Sequence, residues 1–153
     1  MSNGPVARPA QRSWIIEIPG RPPTVNSLQR GYVISVAGSH KQAREASQKV
    51  AQIRRDATIL TRAARVPVLG LGRFFYYARY EKKRGREPDW GAFASAFKAA
   101  LDGVVDAGVL PDDSRKFIPD APTELPISYG GSPALVVLIE DAAGDHTQTL
   151  ESR

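Results

Sequence analysis

The hydrophobic and polar positions along this chain follow two periods, and each period indicates a different kind of element. Short apolar runs at 14–18, 32–36 and 134–139 are typical of β-strands, and the aromatic run 74–80 is of the same kind. Positions 41–64 contain neither Pro nor Gly, and apolar residues recur there every three or four positions. This segment therefore predicts a long amphipathic helix.

A second helix is predicted over 90–105, where apolar residues fall on one stripe, with Gly91 in its first turn and Gly108 just beyond its end. A further strand is predicted over 115–119. The run 134–139 is apolar enough to be a central strand. The order of elements predicts an α+β fold, a mixed β-sheet with two main helices packed on it.

Composition divides the 153 residues into three parts. Residues 1–12 are rich in Pro and Arg and predict a disordered basic arm, 13–140 predict a single folded domain, and 141–153 predict a flexible polar tail. No stretch approaches the length of a membrane span, and the first twelve residues contain no apolar run typical of a signal peptide. We therefore expect a cytoplasmic protein without a membrane partner.

Residue counts narrow the possible chemistry. There is no Cys and there are only two His, which excludes disulfides, thiolate nucleophiles and Cys-ligated zinc, so any metal ion is expected to be held by oxygen. The formal net charge is +5, a mild indication of an acidic partner such as nucleic acid.

The positive charge is concentrated in a loop directly after the aromatic strand. This cationic loop, residues 82–86, contains Lys82, Lys83, Arg84 and Arg86. A flexible cationic loop beside a rigid strand suits a sugar-phosphate backbone. An ordinary solvated loop explains such a run equally well.

Acidic residues follow the cationic loop. Asp89 precedes the second helix, Lys98 and Asp102 stand four positions apart on it, and Asp112 and Asp113 come after it. Carboxylates brought together beside a positive surface can hold a divalent cation against a phosphodiester. Each residue also has a purely structural interpretation. Asp89 can be a helix N-cap, Lys98 and Asp102 a surface ion pair, and Asp112 and Asp113 turn residues.

Two segments carry a family resemblance. Segment 89–114, with KAALD at 98–102 and GVVDAGVLPDD at 103–113, closely resembles the RusA family of Holliday junction resolvases, in particular forms from phages and prophages. IPGRPPTVN at 18–26 is similar to that family's N-terminal Pro-Pro-x-x-Asn signature. The resemblance extends over about 15–140 and is most specific in the region 98–114.

The resemblance implies a homodimeric endonuclease that depends on Mg²⁺, or on Mn²⁺ in its place, and nicks four-way or otherwise branched DNA in a bacterial or phage-infected cell. It implies catalytic roles for Asp89, Lys98 and Asp113. It implies metal binding by Asp89 and Asp113, with Asp112 beside them. The residues expected to contact DNA are Arg21, Asn26, Lys82, Lys83, Arg84 and Arg86.

The chain departs from the family pattern at one place. Where the family has Asp-x-Asp-Asn, this chain has Asp89 followed by Trp90, Gly91 and Ala92, so the second acid is missing. In a shifted register, Glu87 and Asp89 form the acidic pair instead. The alternatives to a nuclease are a branched-DNA-binding protein whose cleavage is impaired at Gly91, and a basic α+β interaction domain.

Overall fold

One mixed β-sheet organises the residues that this computed structural model describes, which are 11–28 and 40–144. The central strand of the described sheet is apolar, pairs antiparallel with strands on both sides, and is the one predicted at 134–139. Two very short strands pair in parallel with the aromatic strand. In chain order the strands are β1 (Ser13–Pro19), β2 (Gly72–Tyr80), β3 (Thr123–Glu124), β4 (Ser128–Tyr129) and β5 (Ala134–Asp141). The predicted α+β class with a mixed sheet is confirmed.

Two long helices accompany the sheet within the described residues. Helix α1 (His40–Ala63) confirms the helix predicted over 41–64, and α2 (Ala94–Asp106) confirms the second. The start of α2 differs from the prediction, because Gly91 has φ +83° and lies in a turn before the helix. Gly91 is therefore not in the first helical turn. Gly108 has φ +89° and follows the end of α2, as predicted.

The core forms between one face of the sheet and α2. Side chains alternate along β2, so that Phe74 and Tyr76 are buried on this face. Phe97 of α2 stacks on Tyr76 with ring centroids 4.2 Å apart, and Phe93 lies against Tyr80 at 6.3 Å. These contacts fix α2, and with it Lys98, relative to the sheet.

The two helices approach each other most closely at Gly103. A Cβ atom there would lie 2.7 Å from Cβ of Ala57, and closer still to the backbone oxygen of Arg54. The hydroxyl of Thr58 lies 2.9 Å from that oxygen and 3.0 Å from the carbonyl oxygen of Gly103. Glycine at 103 is what permits this close crossing.

The strand predicted over 115–119 is wrong. Residues 114–118 form a tight turn, in which the amides of Phe117 and Ile118 both donate to the carbonyl oxygen of Ser114. Ile118 is buried and Phe117 half-buried, so their apolar character serves the core from a turn. The strand predicted over 32–36 lies outside the described residues.

The predicted domain boundaries also shift slightly. The boundary at 140 falls inside β5, and Ala142 after it is fully buried. At the N-terminal boundary, Nη2 of Arg12 forms an ion pair with Oδ2 of Asp141 at 2.7 Å. Residues 12 and 141–142 thus belong to the folded body. Neither helix in the described ranges is long and apolar enough to cross a membrane.

Candidate DNA-binding and catalytic site

The two segments that carry the resemblance meet in space. The amide of Val25 donates to the carbonyl oxygen of Ala92 at 2.7 Å, which joins the segment after β1 to the turn before α2. Residues 24–27 and 86–92 together line a cavity of about 620 Å³. Three residues predicted from sequence border this cavity: Asn26, Arg86 and Asp89.

A second, more basic cavity lies beside the first. It measures about 250 Å³, and the guanidinium of Arg21 lies 5.0 Å from the ring centroid of Tyr80 at its wall. Four of the six residues expected to contact DNA line it, namely Arg21, Lys82, Arg84 and Arg86. Lys83 is exposed on the same loop. The structure thus gathers cations from two distant parts of the chain onto one surface.

Lys98 lies between two carboxylates. Its ammonium donates to Oδ1 of Asp102 at 2.7 Å and to Oδ2 of Asp113. These hydrogen bonds, from Asp102 first and then Asp113, raise the pKa of Lys98 above its ordinary value. Lys98 therefore stays protonated at neutral pH and acts as a fixed positive charge, not as a general base.

Asp112 has a local structural role. Its Oδ1 accepts a hydrogen bond from the amide of Ser114 at 2.7 Å, which is the turn geometry typical of Asp. Hydrogen bonds from Ser114 also lower the pKa of Asp112 below its ordinary value. The turn interpretation of Asp112 is confirmed, and one of its oxygens is already engaged.

The ion pair of Asp89 is separate from those that join Lys98 to Asp102 and Asp113. Asp89 is 85% exposed, and the ion pair found for it joins Oδ1 to Nη2 of Arg86 at 3.5 Å. It is not the N-cap of α2, because Phe93 occupies that position without a side-chain hydrogen bond. The N-cap interpretation is wrong, since the helix begins four residues later than Trp90.

The carboxylates present restrict how a metal ion is held. Across residues 11–28 and 40–144, no group of three or more His, Cys, Asp or Glu side chains is placed to bind one ion. However, Asp102 and Asp113 converge on a single positive charge, the ammonium of Lys98. Mg²⁺ is commonly held by one or two carboxylates together with substrate phosphate. Asp102 and Asp113 are engaged by Lys98, and no contact found in residues 11–28 and 40–144 joins Asp89 to either of them, so the described carboxylates form no preformed cage. They fit only an ion that DNA phosphate also ligates.

Two further residues reach the site without having been predicted. The amide of Gly91 donates to Oε2 of Glu124 at 2.6 Å. The hydroxyl of Tyr129 donates to Oε1 of Glu87 at 2.7 Å, and this bond raises the pKa of Tyr129 to about 12. Glu124 and Tyr129 lie on two-residue strands, which are too short to show an alternating pattern in sequence.

Neither a scan against protein-family models nor a comparison with curated protein sequences gives a match for this chain. Its function is therefore inferred from the residues that the fold brings together.

Proposed function

We propose that this chain is a RusA-like, Mg²⁺-dependent endonuclease that nicks four-way or otherwise branched DNA. The observation that supports it most is the contact between Val25 and Ala92, which joins the two segments resembling that family. The segments lie far apart in sequence, and together they form one cavity next to a cation-lined one. A basic surface, carboxylates and a fixed ammonium are the components that phosphodiester cleavage needs.

In this proposal each part of the site has one task. The cationic loop and Arg21 bind the sugar-phosphate backbone and set its position. Lys98, protonated between its two carboxylates, would offset negative charge that gathers on the phosphate in the transition state. Asp89 and Asp113 would hold Mg²⁺, or Mn²⁺ in its place. A bound Mg²⁺ supplies Lewis acidity and an activated water.

A homodimer in the cytoplasm of a bacterial or phage-infected cell completes the proposal. Two copies would present two sites to the two strands of a branched substrate. A dimer of this kind would nick the two strands symmetrically, with one site per chain.

A second candidate is a branched-DNA-binding protein with impaired cleavage. Its specific support is Gly91, which has no side chain at the place of the family's second acid and whose amide is bonded to Glu124. The lack of a three-carboxylate group within the described residues points the same way. A protein of this kind would bind DNA through the basic surface but would cleave it inefficiently.

A gel-shift and nicking assay on a synthetic four-way junction, with and without Mg²⁺, distinguishes these candidates. A nuclease binds the junction and nicks it only with the metal, whereas the second candidate binds without nicking. If the protein neither binds nor nicks the junction, both candidates are wrong and a basic interaction domain remains.

The Asp113→Asn variant tests the site within the same assay. We expect nicking to be lost while junction affinity stays equal or rises, since a negative charge near the phosphate is removed. Asp120→Asn is the matched control, because Asp120 is an exposed carboxylate that pairs with Arg73. Nicking by Asp113→Asn at the parent rate in saturating Mg²⁺ would show that Asp113 is only a turn residue.

The salt dependence of binding locates the DNA path. Neutralising all four cations of the loop should flatten the slope of log K against log salt, by about 0.9 for each duplex phosphate that the loop no longer neutralises. The control neutralises three exposed cations of α1, which are Arg44, Lys49 and Arg55. A slope that changes only in the control would place the DNA along α1.

A further inference from the structure

Trp90 is the most exposed aromatic side chain in the described part of the molecule. Its exposed fraction is 71%, while most aromatic side chains here are buried or half-buried. It follows Asp89 directly and borders two cavities, the one of about 620 Å³ and another of about 480 Å³. A large apolar ring is thus presented to solvent at the edge of the cavity formed by the two segments that carry the resemblance.

The backbone around Trp90 is ordered by hydrogen bonds. The amide of Ala92 donates to the carbonyl oxygen of Asp89 at 3.1 Å, and the amide of Ala94 donates to that of Gly91 at 3.1 Å. The ring is therefore held on a defined turn, although it contributes nothing to the core. Stacking a ligand on this ring would therefore order a side chain but would not need to order the backbone that carries it.

The charges around Trp90 indicate which ligand fits. Of the nearby carboxylates, Asp89 is ion-paired with Arg86, while Glu87 and Glu124 accept hydrogen bonds from neutral groups and keep their charge. By contrast, no ion-pair partner is found among residues 11–28 and 40–144 for three cations of the adjacent loop, namely Lys82, Lys83 and Arg84. Three cations without an ion-pair partner thus lie on the loop that leads to the turn carrying an exposed aromatic face. That combination binds single-stranded nucleic acid, whose bases stack while its phosphates follow the cations.

We propose that Trp90 is the stacking platform for an unpaired nucleobase of a DNA strand whose phosphates lie along the cationic loop. The inference rests on the proposed function and narrows its substrate class. The preferred substrate carries unpaired nucleotides beside the branch, as a fork or flap does. Fully paired duplex offers no free base and gains nothing from Trp90.

Fluorescence gives a direct test, because the chain has only two Trp. In Trp14→Phe the emission comes from Trp90 alone, and single-stranded oligothymidylate should quench it. Trp14 is half-buried beneath the guanidinium of Arg12, so the complementary variant Trp90→Phe should show no quenching. Equal quenching in both variants, or none in Trp14→Phe, would overturn the proposal.

Affinity measurements on matched DNAs provide the second test. Trp90→Ala should weaken binding to a forked DNA by about 5-fold to 150-fold, the effect of losing one base–aromatic stack. Trp90→Phe should retain most of the affinity, and duplex binding should not change. Ile59→Ala is the control, since Ile59 is exposed to a similar degree on α1.

The outcomes separate this proposal from the proposed function. If Trp90→Ala binds and nicks branched DNA as the parent does, the stacking role is wrong and the nuclease proposal stands. If the parent binds no branched or single-stranded DNA, both proposals are wrong.

Discussion

Under the proposed function, replacing Gly91 by Asp tests whether an added carboxylate at this position improves metal binding. The φ angle of Gly91 is +83°, which L-residues adopt only with strain, and a Cβ there would meet nothing within 4 Å. The penalty is therefore conformational rather than steric, about 1–2 kcal/mol. For a chain of this size we expect the melting temperature to fall by about 2–4 °C per kcal/mol. The sequence predicts Gly91 in the first turn of α2, where Asp would stabilise the helix start, but in the structure Gly91 precedes the helix.

The expected gain is in metal binding. The new carboxylate lies two residues from Asp89 and beside Glu124, which accepts the amide of Gly91, and it adds negative charge facing a cation. Because Asp89 is 85% exposed, solvent screens the added interaction, which we take as about 1 kcal/mol. The Mg²⁺ midpoint for junction nicking should therefore fall by about fivefold.

Gly91→Asn is the matched control for this experiment. It places a side chain of the same size on the same strained backbone but adds no charge. We expect both variants to lose similar stability, measured by thermal unfolding, and only the Asp variant to shift the Mg²⁺ titration. Equal midpoints for the parent and both variants would refute the register in which Asp89 is the first acid. Glu87 would then be the next residue to test.

Three predictions concern the fold that holds the site. Gly103→Ala should destabilise the protein by about 2 kcal/mol in denaturant unfolding, because its Cβ would overlap backbone atoms of α1, and a wild-type midpoint would contradict the close crossing. Thr61→Val should stabilise it by about 1 kcal/mol, since the buried Thr61 hydroxyl has no hydrogen-bond partner among residues 11–28 and 40–144, and a loss of stability would reveal one. The hydrogen bonds from Arg54 lower the pKa of Asp106 below 3.8, so stability present above that pH should be lost as pH falls through the lowered value. Asp106→Asn should lose part of this acid dependence in melting scans, and an unchanged acid profile would contradict the ion pair.

The long elements were predictable from sequence, because their periodic patterns extend over many residues. The helix over 41–64 and the apolar strand of β5 are examples, and tertiary packing did not override either pattern. The prediction over 115–119 failed for the opposite reason, since Phe117 and Ile118 are too short an apolar run to separate a strand from a buried turn. Hydrogen bonds to the side chain of Asp112 and to the carbonyl oxygen of Ser114 form a turn there instead of a strand.

The site itself was predictable only where its members are close in sequence. The ion pair of Lys98 and Asp102 follows from their helical spacing and is confirmed. Asp113 reaches Lys98 because the chain reverses after α2, and Glu124 reaches Gly91, 33 residues away, because β3 pairs with β2. Both contacts depend on long-range geometry that a local pattern does not contain. The carboxylate of Glu124 therefore lies beside Gly91, where the chain departs from the pattern that it resembles, and this proximity is visible only in the folded chain.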